Sequence, residues 1–343
     1  MEKTKKTGTI EWIKDKWSRN SMVSTLFALF VMVIIQAIVL GINAGSFSAM
    51  WGKLGMAWLN ILRNNTYAGV IALGMCFAII SGGIDLSVGS TLCALGAILM
   101  YLIEPNNGLF LKLGITGVPA YVLAVIVIIA LGFLLGQLNG SLVAYGKLPP
   151  FIATLGTMKI FRSVTQQVTK QFNPEVPSGF KMISSYKIGG QVVLPIIYWV
   201  LIVIVMYLIF KKTAFGRQII AIGSNERAAK LSGINVNRVK RNIYATIGVM
   251  CALAAIIYVA RIGSMDYANA GSGYEMDAIA AVVVGGTAMS GGRGNLAGAF
   301  VGALIMGVMN NILNSVGIPT FLCDAVKGAI IIFAVLLQKK DTV

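Results

Sequence analysis

The sequence predicts an all-α membrane protein: a polytopic bundle of about ten transmembrane helices with both termini cytoplasmic. Three observations predict it. The 343-residue chain is 57% hydrophobic and only 12% charged, with a mean hydropathy of +0.81; soluble domains carry about 25% charged residues. Ten apolar runs recur along it, and a helix needs about 20 such residues to cross a bilayer. Lys and Arg gather in alternate segments between the runs, as topology requires of a membrane protein.

The elements follow in chain order. Residues 1–20 are basic, with Trp12, Ile13 and Trp17 on one possible helical face, as in a segment lying on the inner membrane surface. The run 22–42 is longer than a signal-peptide core and reads as a retained first helix. Further runs occupy 67–81, 86–103, 120–145, 151–168, 191–210, 242–262, 277–290, 296–316 and 320–338. Their lengths and their Gly, Ala and Ser content favour packed membrane helices over core strands. The third and eighth are short or broken by glycine. Pro149-Pro150 marks a tight turn before Phe151. The segment 169–190 carries three lysines and is expected to hold a short surface helix. The organisation is thus a basic N-terminal segment, 1–20, and one transmembrane domain, 21–343, with a large loop at 211–241.

Charge tests this topology. With the N-terminus inside and strict alternation, the inner segments hold Lys3, Lys5, Lys6, Lys14, Lys16, Arg19, Lys147, eight basic residues of the 211–241 loop, Arg293, Lys339 and Lys340. The outer segments hold Lys53, Arg63, Lys112, Lys170, Lys181, Lys187 and Arg261. Eighteen against seven is the expected direction. The net charge of +16 meets anionic lipid; no basic, aromatic-studded soluble segment exists to bind nucleic acid.

Composition also excludes chemistry. There is no histidine, so Ser-His dyads and His-ligated metals are absent. Cys76, Cys93, Cys251 and Cys323 sit in apolar or helical runs without a CxxC pair and read as packing residues, not as metal ligands. No GxxxxGK[ST] phosphate loop occurs: Gly146-Lys147 is followed by Leu148. Any ATP drive must come from another subunit. Ser290-Gly291 lacks a histidine to activate it, and Gly-Gly-Ile-Asp85 is not the Gly-x-Gly-Asp of an aspartyl intramembrane protease.

The longest polar stretch, Lys211 to Arg241, has eight Lys and Arg against Glu226 alone. Asn225 is a good N-cap, Glu226–Leu231 a good helix former and Gly233 a good C-cap. A short helix held at the inner surface is what a transporter needs to dock a motor.

Inside the apolar runs, polar residues stand out. Asp85 either N-caps the following helix or meets a solute. Glu275 and Asp277, two apart, cannot share a helical face; they look like first-turn acids, and a contact with an external protein is a second reading. Gln137 and Asn139, with Asn310, Asn311 and Asn314, are amides that either bond helix to helix or line a wet passage, and Asn310 and Asn314 share a face. Asp324 and Lys327 suggest a local ion pair. Gly82-Gly83 before Asp85 and Gly285-Gly286 before Ser290-Gly-Gly-Arg-Gly form a faint internal echo.

Several segments resemble a known family. GMCFAIISGGIDLSVGS (74–90), PPFIATLGTM (149–158), AFGRQIIAIGSNERAAKLSGINV (214–236), the stretch 260–298 and KGAIIIFAVLL (327–337) are similar to the permeases of bacterial ABC sugar importers for ribose, galactose or methyl-galactoside, and xylose. The resemblance covers nearly all the chain from about residue 60. It implies a pair of permease subunits in the inner membrane, a separate cytoplasmic ATPase that binds ATP and Mg, and an extracytoplasmic sugar-binding protein. The chain itself would hold no cofactor and catalyse no reaction. Carried over residue by residue, the family's ATPase-coupling loop falls on Gly216, Arg217, Asn225, Glu226, Ala229 and Gly233. SGINVNRVK and GSGYEMDA lean toward ribose, and KGAIIIFAVLL toward galactose; nucleosides stay open. A different class, an ion-coupled carrier acting alone through Asp85, is the alternative.

Overall fold

This computed structural model describes residues 21–42, 47–170 and 174–340. The N-terminal segment with Trp12, Ile13 and Trp17 lies outside the described residues, as do the side chains of Lys339 and Lys340. The described residues form fifteen α-helices and one two-residue hairpin. They are α1 (Ser21–Ile42), α2 (Phe47–Asn64), α3 (Thr66–Ile80), α4 (Val88–Ile103), α5 (Leu109–Lys112), α6 (Gly117–Ala144), α7 (Pro150–Thr169), α8 (Ser178–Ser185), β1 (Lys187–Ile188), β2 (Gln191–Val192), α9 (Leu194–Lys212), α10 (Ala214–Ser224), α11 (Glu226–Leu231), α12 (Val236–Ile262), α13 (Tyr274–Val284), α14 (Leu296–Ser315) and α15 (Thr320–Lys340). Five are long and apolar enough to cross a membrane (residues 22–42 of α1, then α6, α9, α12 and α14), and α3 and α4 are shorter apolar helices.

Small residues decide how the helices pack. Lipid tails give apolar side chains no reason to cluster, so close backbone approach supplies the attraction. On α6, Gly132, Gly136 and Gly140 recur every four residues and put one smooth stripe against α12. A Cβ on Gly136 would lie 2.2 Å from Tyr244 O, and one on Gly132 would lie 2.5 Å from Gly248 O. The facing stretch of α12 is itself rich in small residues, including Ala245, Gly248, Ala252 and Ala255. Helix α12 is therefore the central post, with α3, α4 and α6 around it. A second pair, α13 and α14, closes the same way: a Cβ on Gly302 would meet Ala281 O at 1.9 Å. Helix α3 is buried along its whole length.

Two expectations need correction. The second run is longer than 67–81. Helix α2 leads into α3 through Asn65, whose N–H still donates to Ile61 O while its carbonyl accepts from Gly69 N–H. The Asn65 side chain donates to Ala303 O of α14. Residues 47–80 are thus one kinked helix antiparallel to α14, and α2 adds no chain reversal. The eighth run ends early: α13 stops at Val284, because Gly285-Gly286 opens a turn in which Gly286 has φ 83°. The segment 169–190 does hold a short helix, α8. After it, Gly189-Gly190 (φ 58° and 79°) turns the β1–β2 hairpin, which needs left-handed backbone at both positions.

Candidate functional site

The 211–241 segment forms a compact shelf at one end of the bundle. Helix α9 ends at Lys212, and Thr213 is extended. Its hydroxyl donates to Ile209 O at 2.6 Å and receives Gly216 N–H at 3.4 Å, so one side chain ends α9 and starts α10. Gly216 is buried in this corner, where a Cβ would lie 1.9 Å from Phe210 O. Asn225 is extended again, and its Oδ1 accepts Ala228 N–H at 2.9 Å to cap α11. At the far end Gly233 (φ 83°) turns the chain. Its N–H donates to Lys230 O and Ile234 N–H donates to Ala229 O, which satisfies two terminal carbonyls of α11.

The shelf sorts its residues cleanly. Gly216 and Ala229 face inward; Arg217, Asn225, Glu226 and Gly233 are exposed. Glu226 is tied to Lys240 of α12 at 2.7 Å. Leu231 stands 84% exposed among these charges. A cavity of about 710 Å³ opens between the shelf, the 81–83 turn and the α6–α7 connection.

Asp85 lies in the turn between α3 and α4 and is 2% exposed. It does not N-cap α4: Ser87 holds that position. The Asp85 carboxylate instead caps its own turn, accepting Ser87 N–H at 2.8 Å and the Ser87 hydroxyl at 2.6 Å. Asn139 of α6 donates to Ser87 Oγ at 2.7 Å and reaches Asp85 at 3.5 Å. Tyr244 OH donates to Ile84 O at 3.2 Å. The turn is therefore bonded to both α6 and α12.

The other amides separate. Gln137, two residues before Asn139 and so on nearly the opposite side of α6, is half-buried, Asn310 is half-buried and Asn314 is exposed. The helix-to-helix bond is made by Asn311, which accepts from Gln36 of α1 at 2.7 Å. Glu275 and Asp277 both lie in the first turn of α13, on different faces. Asp277 pairs with Lys327 of α15 at 2.9 Å, so Lys327 does more than meet Asp324, 3.2 Å away on its own helix. Glu275 points toward Gly89 of α4.

Sequence reasoning passed over three groups. Arg162 of α7 donates to Ala270 O at 2.7 Å and to Tyr267 O at 3.4 Å, fastening the 263–273 loop. In that loop, Asp266 is held below the ordinary carboxylate range by the Asn269 side-chain amide, then by Ala268 N–H. Arg261, at the end of α12, donates to Arg63 O, Tyr67 OH and Asn64 Oδ1 at the α2–α3 kink. Finally, Gly156, Lys159, Ser163 and Gln167 form an exposed polar stripe along α7. Lys159 and Arg162 were the visible signal, two charges inside one apolar run. Among the described residues, no cluster of Cys, Asp and Glu could hold a metal.

Residues 57–335 match the family described as branched-chain amino acid transport system / permease component. The chain is 44% identical over 289 residues to the ribose import permease protein of Bacillus subtilis, covering 83% of this chain and 85% of that one. It is 39% identical over 315 residues to the ribose import permease protein of Haemophilus influenzae, covering 90% and 91%. It is 34% identical over 340 residues to the xylose transport system permease protein of Escherichia coli, covering 81% and 84%. No solved structure matches it.

Proposed function

The chain belongs to this permease family, and from that premise we propose that it carries a monosaccharide, ribose in the first place, across the bacterial inner membrane as the permease subunit of an ABC importer. It performs no chemistry on the sugar. ATP and Mg bind to a separate cytoplasmic ATPase, and a binding protein delivers the sugar from outside. Two copies of the permease, solvated by lipid, enclose the passage, and residues 21–343 act as one transmembrane domain.

One observation carries the docking half of this reading. Leu231 is 84% exposed on a short helix capped at both ends. A Leu turned to water on a rigid, charged shelf is an anchor without its pocket, and buried apolar anchors dominate protein interfaces. The ATPase supplies that pocket. ATP-driven closure of two ATPases then displaces α10–α11 and tilts the helices behind them. The passage itself needs neutral and polar groups facing water at the pair's axis. The α7 stripe of Gly156, Lys159, Ser163 and Gln167 suits it, because a lysine facing hydrocarbon near mid-helix is costly.

The test is Leu231→Asp in a tagged chain expressed with its ATPase. Co-purification of the ATPase falls at least ten-fold and ATP-dependent uptake of labelled ribose into vesicles is lost, while the yield of folded permease holds. Full uptake by the variant sinks the docking role. Calorimetry of the binding protein against ribose, xylose, galactose and nucleosides identifies the cargo; no heat with ribose removes it from first place.

A further inference from the structure

The two glycine-rich turns that echo one another in the sequence meet in the fold. Gly292 N–H donates to Ile80 O at 2.8 Å, so the 285–295 turn is bonded backbone to backbone to the end of α3. The last turn of α10 rests on that bond. A Cβ on Gly223 would lie 1.7 Å from Ile80 O and 2.5 Å from Gly292 N. From the other side, a Cβ on Gly291 would lie 3.1 Å from Gly223 O and 3.2 Å from Gly82 N, and one on Gly292 would lie 2.9 Å from Ser224 Cα. Gly82, Gly291 and Gly292 have φ of 80°, 83° and 75°, a region that glycine enters freely and other residues do not. Three segments distant in sequence thus meet with their backbones in close contact at Gly223, Ile80 and Gly291, and the side chains of Ser224 and Ile80 flank that junction.

Such a contact behaves differently from one made by side chains. A side chain absorbs a displacement by changing rotamer, whereas peptide groups in van der Waals contact have no such freedom. Moving α10 therefore moves both turns or breaks the contact. Each turn joins a helix pair: 81–87 joins α3 to α4, and 285–295 joins α13 to α14. The second pair is locked by its own glycines, with a Cβ on Gly298 only 2.1 Å from Gly285 O.

We propose that Gly223 is a positioning residue, the joint at which displacement of the α10–α11 shelf is handed at once to the α3–α4 and α13–α14 pairs. This rests on the shelf being the ATPase-docking segment. It assigns the glycine turns a mechanical role: they let the backbone of the shelf bear directly on the backbone of two helix pairs.

Gly223→Ala tests it, with Gly55→Ala as control because a Cβ there meets nothing within 4 Å. In the purified full chain, amide exchange at 80–87 and at 288–293 rises at least ten-fold together, and exchange in the 263–273 loop does not change. In vesicles with the ATPase and binding protein, sugar uptake falls at least ten-fold while ATPase co-purification stays at the wild-type level. Unchanged exchange at either turn overturns the joint. So does uptake lost only in step with ATPase binding, since Gly223 would then be a docking residue. Should no ATPase accompany the unaltered chain, the docking reading falls, and the exchange measurement still decides whether the three segments move as one. A second variant guards against misfolding. The native cysteines are all buried, whereas Ser224 and Ser290, on the two sides of the contact, are exposed and have no positive φ; Ser224→Cys with Ser290→Cys can be bridged selectively by a short reducible bis-thiosulfonate, and uptake falls on cross-linking and returns on reduction. Uptake indifferent to the cross-link also overturns the proposal.

Discussion

Asp85 shows how a costly residue can hold a fold together. Every partner of its carboxylate is a donor: Ser87 N–H, the Ser87 hydroxyl and the Asn139 amide. An Asn at this site keeps the acceptor for Ser87 and loses only the long contact to Asn139. Asp85→Asn should therefore cost about 1 kcal/mol, read as a small drop in melting temperature in detergent, and ATP-driven uptake should persist. Asp85→Leu strands the Ser87 N–H and hydroxyl and should cost about 1–3 kcal/mol for each buried group left unpaired. The pair of variants separates two roles. A turn-capping carboxylate tolerates the amide, whereas an ion-coupling group does not. Loss of uptake in Asp85→Asn at normal stability would favour the ion-coupled carrier.

At the scale of elements, helix α7 makes the sharpest prediction. Lys159 lies nine residues past Pro150, which at 1.5 Å per residue is about 14 Å along the helix, near the middle of a bilayer about 30 Å thick. If its face turned to lipid, Lys159→Leu would relieve a penalty and raise stability. On a water-filled passage the same change dries the wall. Sugar uptake should fall several-fold with the melting temperature unchanged, and Ile160→Leu on the neighbouring exposed apolar stripe should leave uptake alone. How much of the elements was legible follows the same physics. The caps of α11 could be read because Asn225 and Gly233 act through local backbone geometry. Helix α2 escaped because it buries only the narrow stripe Leu54, Ala57 and Ile61, and Lys53, Asn60 and Arg63 interrupt its hydropathy. The early end of α13 needed φ > 0 at Gly286, which Gly285-Gly286 hinted at. Nothing local could signal that Gly223, Ile80 and Gly292 meet, since that contact joins backbone atoms of segments far apart in sequence.

At the scale of the molecule, orientation decides whether the energy source can reach the shelf. The bundle fixes two ends before any membrane is considered. Helix α12 separates them: its first turn adjoins α11, while at its far end a Cβ on Gly263 would meet Lys181 of α8. Twenty-seven residues of helix span about 40 Å, so the shelf and the α8–β1–β2 segment must lie on opposite faces of the bilayer. The proposed importer needs the shelf on the inner face, and its charge supports that placement: Lys and Arg flanking membrane helices are retained in the cytoplasm, and the shelf with its flanks holds eight of them. Single cysteines read this directly, with the four native thiols buried. An impermeant maleimide applied to right-side-out spheroplasts should modify Lys187→Cys and spare Arg227→Cys; in inside-out vesicles the pattern should reverse. ATP is made and kept in the cytoplasm, so labelling of Arg227→Cys from outside intact cells would put the shelf beyond any ATPase and remove the importer reading altogether.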